Sequence, residues 1–273
     1  MSTTNSADTK VVTVVDLLTW KQEGRKIVCL TAYDALMGRL VDESGVDVIL
    51  VGDSVNQVFA GQPSTLSATV DQMIYHASAV RRGVKRALLI VDMPFLSYQI
   101  SPEDALRNCG RVMKETGAHA VKLEGGLGMA PTVRVLVDAG IPVMGHIGLT
   151  PQSVHALGGY RVQGRTDVAA QRLESDAKAL EEAGAFAVVL ELVPADLAAR
   201  ISKSLTIPTI GIGAGGDCDG QVLVLPDMLG LNDVFKPKFL KKYADLAGEV
   251  RRAASTFVSE VREKKYPDDG HSF

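Results

Sequence analysis

Five polar side chains fall at the ends of short apolar runs: Asp53 closes VILVGD, Asp92 closes LLIVD, Glu124 closes AVKLE, His146 ends VMGH and Glu191 closes VVLE. Brought into one pocket, Asp53, Asp92 and Glu124 would repel one another. A hard cation such as Mg²⁺ relieves that repulsion and keeps several positions for water or substrate oxygens. Each acid taken alone reads equally well as a helix cap or a salt-bridge partner. Taken together that reading weakens, because Asp92 runs into Met93, Pro94 and Phe95, and Asp53 precedes a long loop. Zinc is disfavoured by a single histidine and no thiolate at these run ends.

Lys122 stands two residues before Glu124, so strand alternation points both to one face. It either neutralises a substrate carboxylate or forms a plain ion pair with Glu124. His146 either orients a substrate or satisfies its own hydrogen bonds beneath a loop. His76 and His119 lie in helical or turn contexts and carry no assigned role. The glycine run GIGAGG, 211–216, has the character of a phosphate-gripping loop. It also suits a backbone that must pass close to a neighbour.

Convergence of these residues requires elements that share one end. Apolar, β-branched runs recur at 27–30, 46–51, 87–91, 118–123, 141–144, 185–190, 208–212 and 221–225, which makes eight candidate strands. Most are continuously apolar, the pattern of a strand covered on both faces in a parallel sheet. Helical periods lie between them at 35–44, 70–82, 102–116, 130–139, 167–183 and 195–204. Gly45, Gly83, Gly117, Gly140 and Gly184 follow helical runs where a left-handed cap is needed. An extra helix is expected at 14–22 and a long final one at 237–264. Eight strands with helical crossovers predict an α/β fold, a closed (βα)8 TIM-type barrel, in preference to an open sheet. The long loops at 54–69 and 147–166 then fall on the carboxyl-end face, where barrel enzymes build their sites.

The chain has 273 residues, 46% of them hydrophobic, enough for one large core. The expected organisation is a disordered tail at 1–10, a single domain at 11–266 and a flexible tail at 267–273. A net charge of -3 from interspersed acids and bases argues against a nucleic-acid partner. No run approaches the roughly 20 apolar residues of a membrane span, and no secretory signal opens the chain. Cys29, Cys109 and Cys218 are odd in number and far apart, as expected of reduced thiols in a cytoplasmic protein.

Several longer blocks go beyond architecture: TAYD at 31–34, VGDS at 51–54, DMPF at 92–95 with Ser97 and Tyr98, KLEGG at 122–126, MGHIGLTPQ at 144–152, GGYRVQG at 158–164, and GIGAG with CDGQVLV beyond. In these blocks the chain resembles the ketopantoate hydroxymethyltransferases, from about Val12 to Tyr266. The resemblance implies transfer of a one-carbon unit from 5,10-methylenetetrahydrofolate to 3-methyl-2-oxobutanoate, giving 2-dehydropantoate on the route to pantothenate. It implies Mg²⁺ held by Asp53 and Asp92, with Glu124 completing the site directly or through water. It implies keto-acid binding by Ser54 and Lys122, with Asp53 and Asp92 beside them and His146 a further candidate, and it makes Glu191 the proton acceptor. A homodecamer is also implied. Three other readings stay open at this stage. They are a Mg²⁺-dependent oxo-acid lyase of related barrel type, whose expected active-site cysteine motif is not found here, a phosphosugar barrel using GIGAGG, and a non-catalytic ligand-binding or assembly barrel.

Overall fold

The computed structural model describes residues 10–273. The expected tail at 1–10 therefore lies, but for Lys10, outside the described residues. Eight parallel strands close a barrel in sequence order: β1 (Ile27–Thr31), β2 (Val48–Val51), β3 (Leu88–Asp92), β4 (Ala120–Glu124), β5 (Val143–Gly148), β6 (Ala187–Glu191), β7 (Thr209–Ile212) and β8 (Gly220–Leu223), with β8 pairing back onto β1 through Ile27 and Gly220. The helices are α1 (Val14–Glu23), α2 (Ala35–Glu43), α3 (Val55–Val58), α4 (Val70–Gly83), α5 (Pro102–Thr116), α6 (Ala130–Asp138), α7 (Asp167–Glu182), α8 (Ala195–Ser204), α9 (Leu225–Met228) and α10 (Leu246–Arg262).

The strands are apolar on both faces because one faces the barrel interior and the other the helices. Val48, Leu50, Leu88, Ile90, Ala120, Met144, Ala187, Val189, Ile210 and Val222 pack into one interior cluster with Leu17 of α1. Leu17 is fully buried, and a capping box between Thr13 and Asp16 starts its helix. The intervening residues, such as Ile49, Leu89, Val121 and Val188, are equally buried on the other face.

Four of the five expected cap glycines adopt positive φ: Gly45, Gly117, Gly140 and Gly184. Gly83 does not. It ends α4 inside the helix, and a Cβ there would lie 2.2 Å from the Ala35 carbonyl oxygen and 2.8 Å from the Arg39 nitrogen. Close packing of α4 on α2, not a turn, requires glycine at that position.

A single domain is expected over 11–266; the chain divides into two compact units, the first running to Val224 and the second from Leu225 to Phe273. All eight strands lie in the first. In the second, the long helix expected from 237 begins only at Leu246, where Asp245 caps it by accepting from the Gly248 N–H. Lys241 and Lys242 precede that cap, where positive charge opposes the helix dipole. Residues 267–273, expected as a flexible tail, include a 3₁₀ turn at Asp269–His271 started by the Asp268 side chain.

Candidate active site

Side-chain alternation decides what lines the barrel mouth. Leu88 and Ile90 point inward, so Asp92 follows them. Ala120 is followed by Lys122 and Glu124, Met144 by His146, and Ala187 and Val189 by Glu191. Register places Asp92 opposite Lys122 and Glu124 opposite His146 on adjacent strands. The next inward position of β2 after Leu50 is Gly52, where a Cβ would meet Ser54 Oγ at 2.7 Å and Asp92 Oδ2 at 3.5 Å. Without a side chain there, Asp53 and Ser54 reach the same pocket.

Asp53, Asp92, Lys122, Glu124 and His146 are all buried, while Glu191 keeps partial access to solvent. The Lys122 ammonium lies 2.9 Å from Asp92 Oδ1 and 3.0 Å from His146 Nδ1. The Asp53 N–H donates to Asp92 Oδ2 at 3.1 Å. His146 Nδ1 is 3.4 Å from Glu124 Oε1, and its Nε2 is 3.2 Å from Glu191 Oε2. Ser54 Oγ lies 2.8 Å from the Tyr33 hydroxyl, and His76, given no role by the sequence, is bonded through Nδ1 to the Tyr33 carbonyl. Each site residue expected from the sequence is therefore at one barrel mouth. Leu192, directly after Glu191, adopts a left-handed φ of 47° and is held by hydrogen bonds to Ile212 and Gln163, a backbone strain of the kind concentrated at functional sites.

Three carboxylates against one ammonium leave this buried cluster formally at -2. Burial, then Asp92 and Glu124, push the Asp53 carboxyl well above its ordinary range. Asp92 is also raised, because burial outweighs the Lys122 charge beside it. Glu124 is lowered: burial opposes ionisation there, but His146 and Lys122 outweigh it. Burial and the Lys122 charge oppose protonation of His146, yet contacts with Glu124 and Glu191 push its pKa up to about 9. Its Nδ1 lies between the Lys122 ammonium at 3.0 Å and Glu124 Oε1 at 3.4 Å, and its Nε2 is close to Glu191 without an aligned hydrogen bond.

Among the described residues no three His, Cys, Asp or Glu side chains form a ready cation cage. Glu124 already meets His146 through one oxygen and the Gln152 N–H through the other. Two acids and a divalent charge nonetheless fit the chemistry. Asp92 Oδ1 has no aligned hydrogen bond, oxygen donors suit Mg²⁺, one or two carboxylates are its usual protein share, and a 2+ ion balances the cluster.

Two glycines of 211–216 have packing reasons. A Cβ on Gly215 would lie 2.6 Å from the Ala195 Cβ, and one on Gly211 3.0 Å from Cys218 Sγ. Close approach thus accounts for Gly211 and Gly215, and Gly213 adopts a positive φ of 63°. Two participants escaped the sequence analysis: Tyr98, fully buried, and Gln152, both neutral loop residues inside quoted blocks but without a charge or period to single them out.

A closed parallel barrel with acids, a lysine and a histidine gathered at the carboxyl ends of its strands belongs to the (βα)8-barrel enzymes, which react at that mouth. Residues 11–269 match the family model described as ketopantoate hydroxymethyltransferase. The 3-methyl-2-oxobutanoate hydroxymethyltransferase of Trichlorobacter lovleyi is 57% identical over 264 residues, 97% of this chain and 99% of that protein. The chain belongs to the ketopantoate hydroxymethyltransferase family and is a transferase. Solved structures share the fold at low identity. Phosphonopyruvate hydrolase in complex with oxalate and Mg²⁺ has a TM-score of 0.61 at 13% identity, covering 94% of this chain and 92% of that one. For 2,3-dimethylmalate lyase, a PEP mutase/isocitrate lyase superfamily member, the TM-score is 0.60 at 16% identity, covering 96% and 92%. Family membership displaces the lyase, phosphosugar and non-catalytic readings. Among the described residues no helix is long and apolar enough to cross a membrane.

Proposed function

We propose that the chain transfers a hydroxymethyl group from 5,10-methylenetetrahydrofolate to 3-methyl-2-oxobutanoate, giving 2-dehydropantoate, with Mg²⁺ bound by Asp53 and Asp92 and supported by Glu124. The observation that carries this reading is the single cluster at the barrel mouth that brings Asp53, Asp92, Lys122, Glu124, His146 and Glu191 together. A carbon–carbon bond at C3 of the keto acid requires removal of a proton from a carbon acid. The bound ion would supply a positive charge beside the ketone oxygen, where negative charge develops.

The protein's own groups do the rest. Glu191 Oε2 accepts the C3 proton and passes it to a folate nitrogen, while one water molecule supplies the product hydroxyl and tetrahydrofolate departs. His146 Nε2 stands 3.2 Å from Glu191 Oε2. Lys122 shares its charge between Asp92 and the substrate carboxylate, and the Ser54 hydroxyl, aligned by Tyr33, hydrogen-bonds the keto acid. The loops at 54–69 and 147–166 exclude bulk water, and Gln57 Nε2 of the first donates to the Tyr160 hydroxyl of the second at 3.2 Å.

Thermal melting with Mg²⁺, then with Mg²⁺ and 3-methyl-2-oxobutanoate together, tests the order of binding. The keto acid should raise the midpoint beyond Mg²⁺ alone, and adding the folate should form 2-dehydropantoate. A midpoint indifferent to both ligands, or no product, overturns the reading. The homodecamer and cytoplasmic location belong to the same reading, and light scattering on the purified chain tests the assembly.

A further inference from the structure

The loop that follows β5 begins with a 3₁₀ turn, Pro151–Ser153, and seats Gln152 in the middle of the acid cluster. Gln152 is 5% exposed, and the hydrogen-bonding capacity of its side chain is fully used. Its Nε2 donates to Asp53 Oδ2 at 2.9 Å and to the Met93 carbonyl at 2.9 Å. Its Oε1 accepts from the Tyr98 hydroxyl at 2.7 Å and from Gln99 Nε2 at 3.2 Å. Its backbone N–H donates to Glu124 Oε2 at 3.0 Å.

These partners leave the carboxamide one orientation. Turned over, its oxygen would face a carboxylate and a carbonyl, and its NH₂ would face a second amide NH₂. Tyr98 reinforces the choice. The phenol has a single proton, and the 2.7 Å contact to Gln152 is shorter than the 3.2 Å contact to the Glu124 carbonyl, while the Glu124 N–H donates back to the phenol at 3.0 Å. The same residue thus holds Asp53 with its side chain and Glu124 with its backbone, from a loop outside the barrel strands.

We propose that Gln152 is a positioning residue for cation binding, fixing Asp53 and Glu124 relative to one another so that the ion meets oriented oxygens instead of two mobile, mutually repelling acids. The inference rests on the reading that Asp53, Asp92 and Glu124 bind a divalent cation. Groups that orient metal-ligating carboxylates typically change metal affinity by about 10- to 100-fold when removed.

Mn²⁺ is the probe, with the free ion counted by electron paramagnetic resonance in solutions of the full-length chain. Gln152→Leu, folded by circular dichroism and melting cooperatively, should bind Mn²⁺ about 10- to 100-fold more weakly than wild type. Gln152→Asn, which keeps the amide on an arm shorter by one methylene, should also bind more weakly. A purely structural role would lower the melting midpoint and leave Mn²⁺ affinity unchanged in the folded variants, and that result overturns the inference. Should neither variant fold, Gln152 serves barrel stability and not the ion, which also overturns it. Failure of wild type to bind Mn²⁺, or undiminished binding by Asp53→Asn, would instead overturn the underlying cation reading.

Discussion

His146 Nε2 stands 3.2 Å from Glu191 Oε2, while its Nδ1 meets the Lys122 ammonium at 3.0 Å. One ring therefore stands between the proposed proton acceptor on β6 and the charged pair formed by β3 and β4, with Nε2 near Glu191 but not in an aligned hydrogen bond to it.

Glu191→Gln keeps the side-chain shape and its place beside His146 but removes the base. The variant should retain Mg²⁺ and keto-acid binding while exchange of the C3 hydrogen into deuterated water slows by about 10²- to 10⁴-fold. Proton NMR of 3-methyl-2-oxobutanoate follows that exchange, and an unchanged rate removes Glu191 from the role.

Asp92→Asn takes the charge from a buried ion pair whose partner, Lys122, lies 2.9 Å away. Breaking one side of such a pair costs about 3 to 5 kcal/mol. Asp53 and Glu124 remain near the ammonium, so the lower end is expected in urea unfolding. Mg²⁺ and keto-acid binding should weaken together in calorimetry, and normal turnover at low Mg²⁺ would contradict the coordination proposed here.

The Asp53 carboxyl is raised by burial and by its acidic neighbours, so at lower pH it holds a proton that a cation must displace. Cation affinity should rise with pH, and binding should release protons while Asp53 is protonated and fewer as pH increases. Titration calorimetry in two buffers of different ionisation enthalpy reads the proton count directly.

Gly83 and Gly110 make a matched pair. Gly83→Ala places a Cβ 2.2 Å from the Ala35 carbonyl oxygen and should destabilise the chain by about 1 to 3 kcal/mol. Gly110→Ala, within α5 and with nothing inside 4 Å of its new Cβ, should stabilise it by about 1 kcal/mol through helix propensity. Denaturant midpoints with unchanged slopes report both effects.

Burial pushes the Cys109 thiol from an ordinary 9.0 to about 12, and Cys29 is raised further by burial and Asp92. Below pH 9 the Cys109 thiol is neutral in the folded and unfolded chain, and its contribution is complete. Between 9 and 12 only the unfolded chain ionises, so stability should fall as pH rises through that window. At pH 8 the buried thiols should resist Ellman's reagent until the chain unfolds.

The sequence by itself determined the barrel. Eight apolar runs separated by helical periods admit few closed arrangements, and because side chains alternate along a strand, an acid two residues above an inward Ile90 or Val189 must point into the mouth. The same logic made Asp92, Lys122, Glu124, His146 and Glu191 legible, and the resemblance added Ser54. What the linear order left open was decided by contacts between distant residues. Gln152 and Tyr98 carry no charge and no periodic signal, so their hold on Asp53 and Glu124 exists only once loops 99 and 26 residues apart meet. Gly83 matched the spacing of a helix cap, yet the approach of α4 to α2 is its reason. The start of α10 at Leu246 was hidden within a run of suitable residues until Asp245 supplied the cap. Local pattern sets which way a side chain faces, whereas the partner it finds depends on chain brought together from elsewhere.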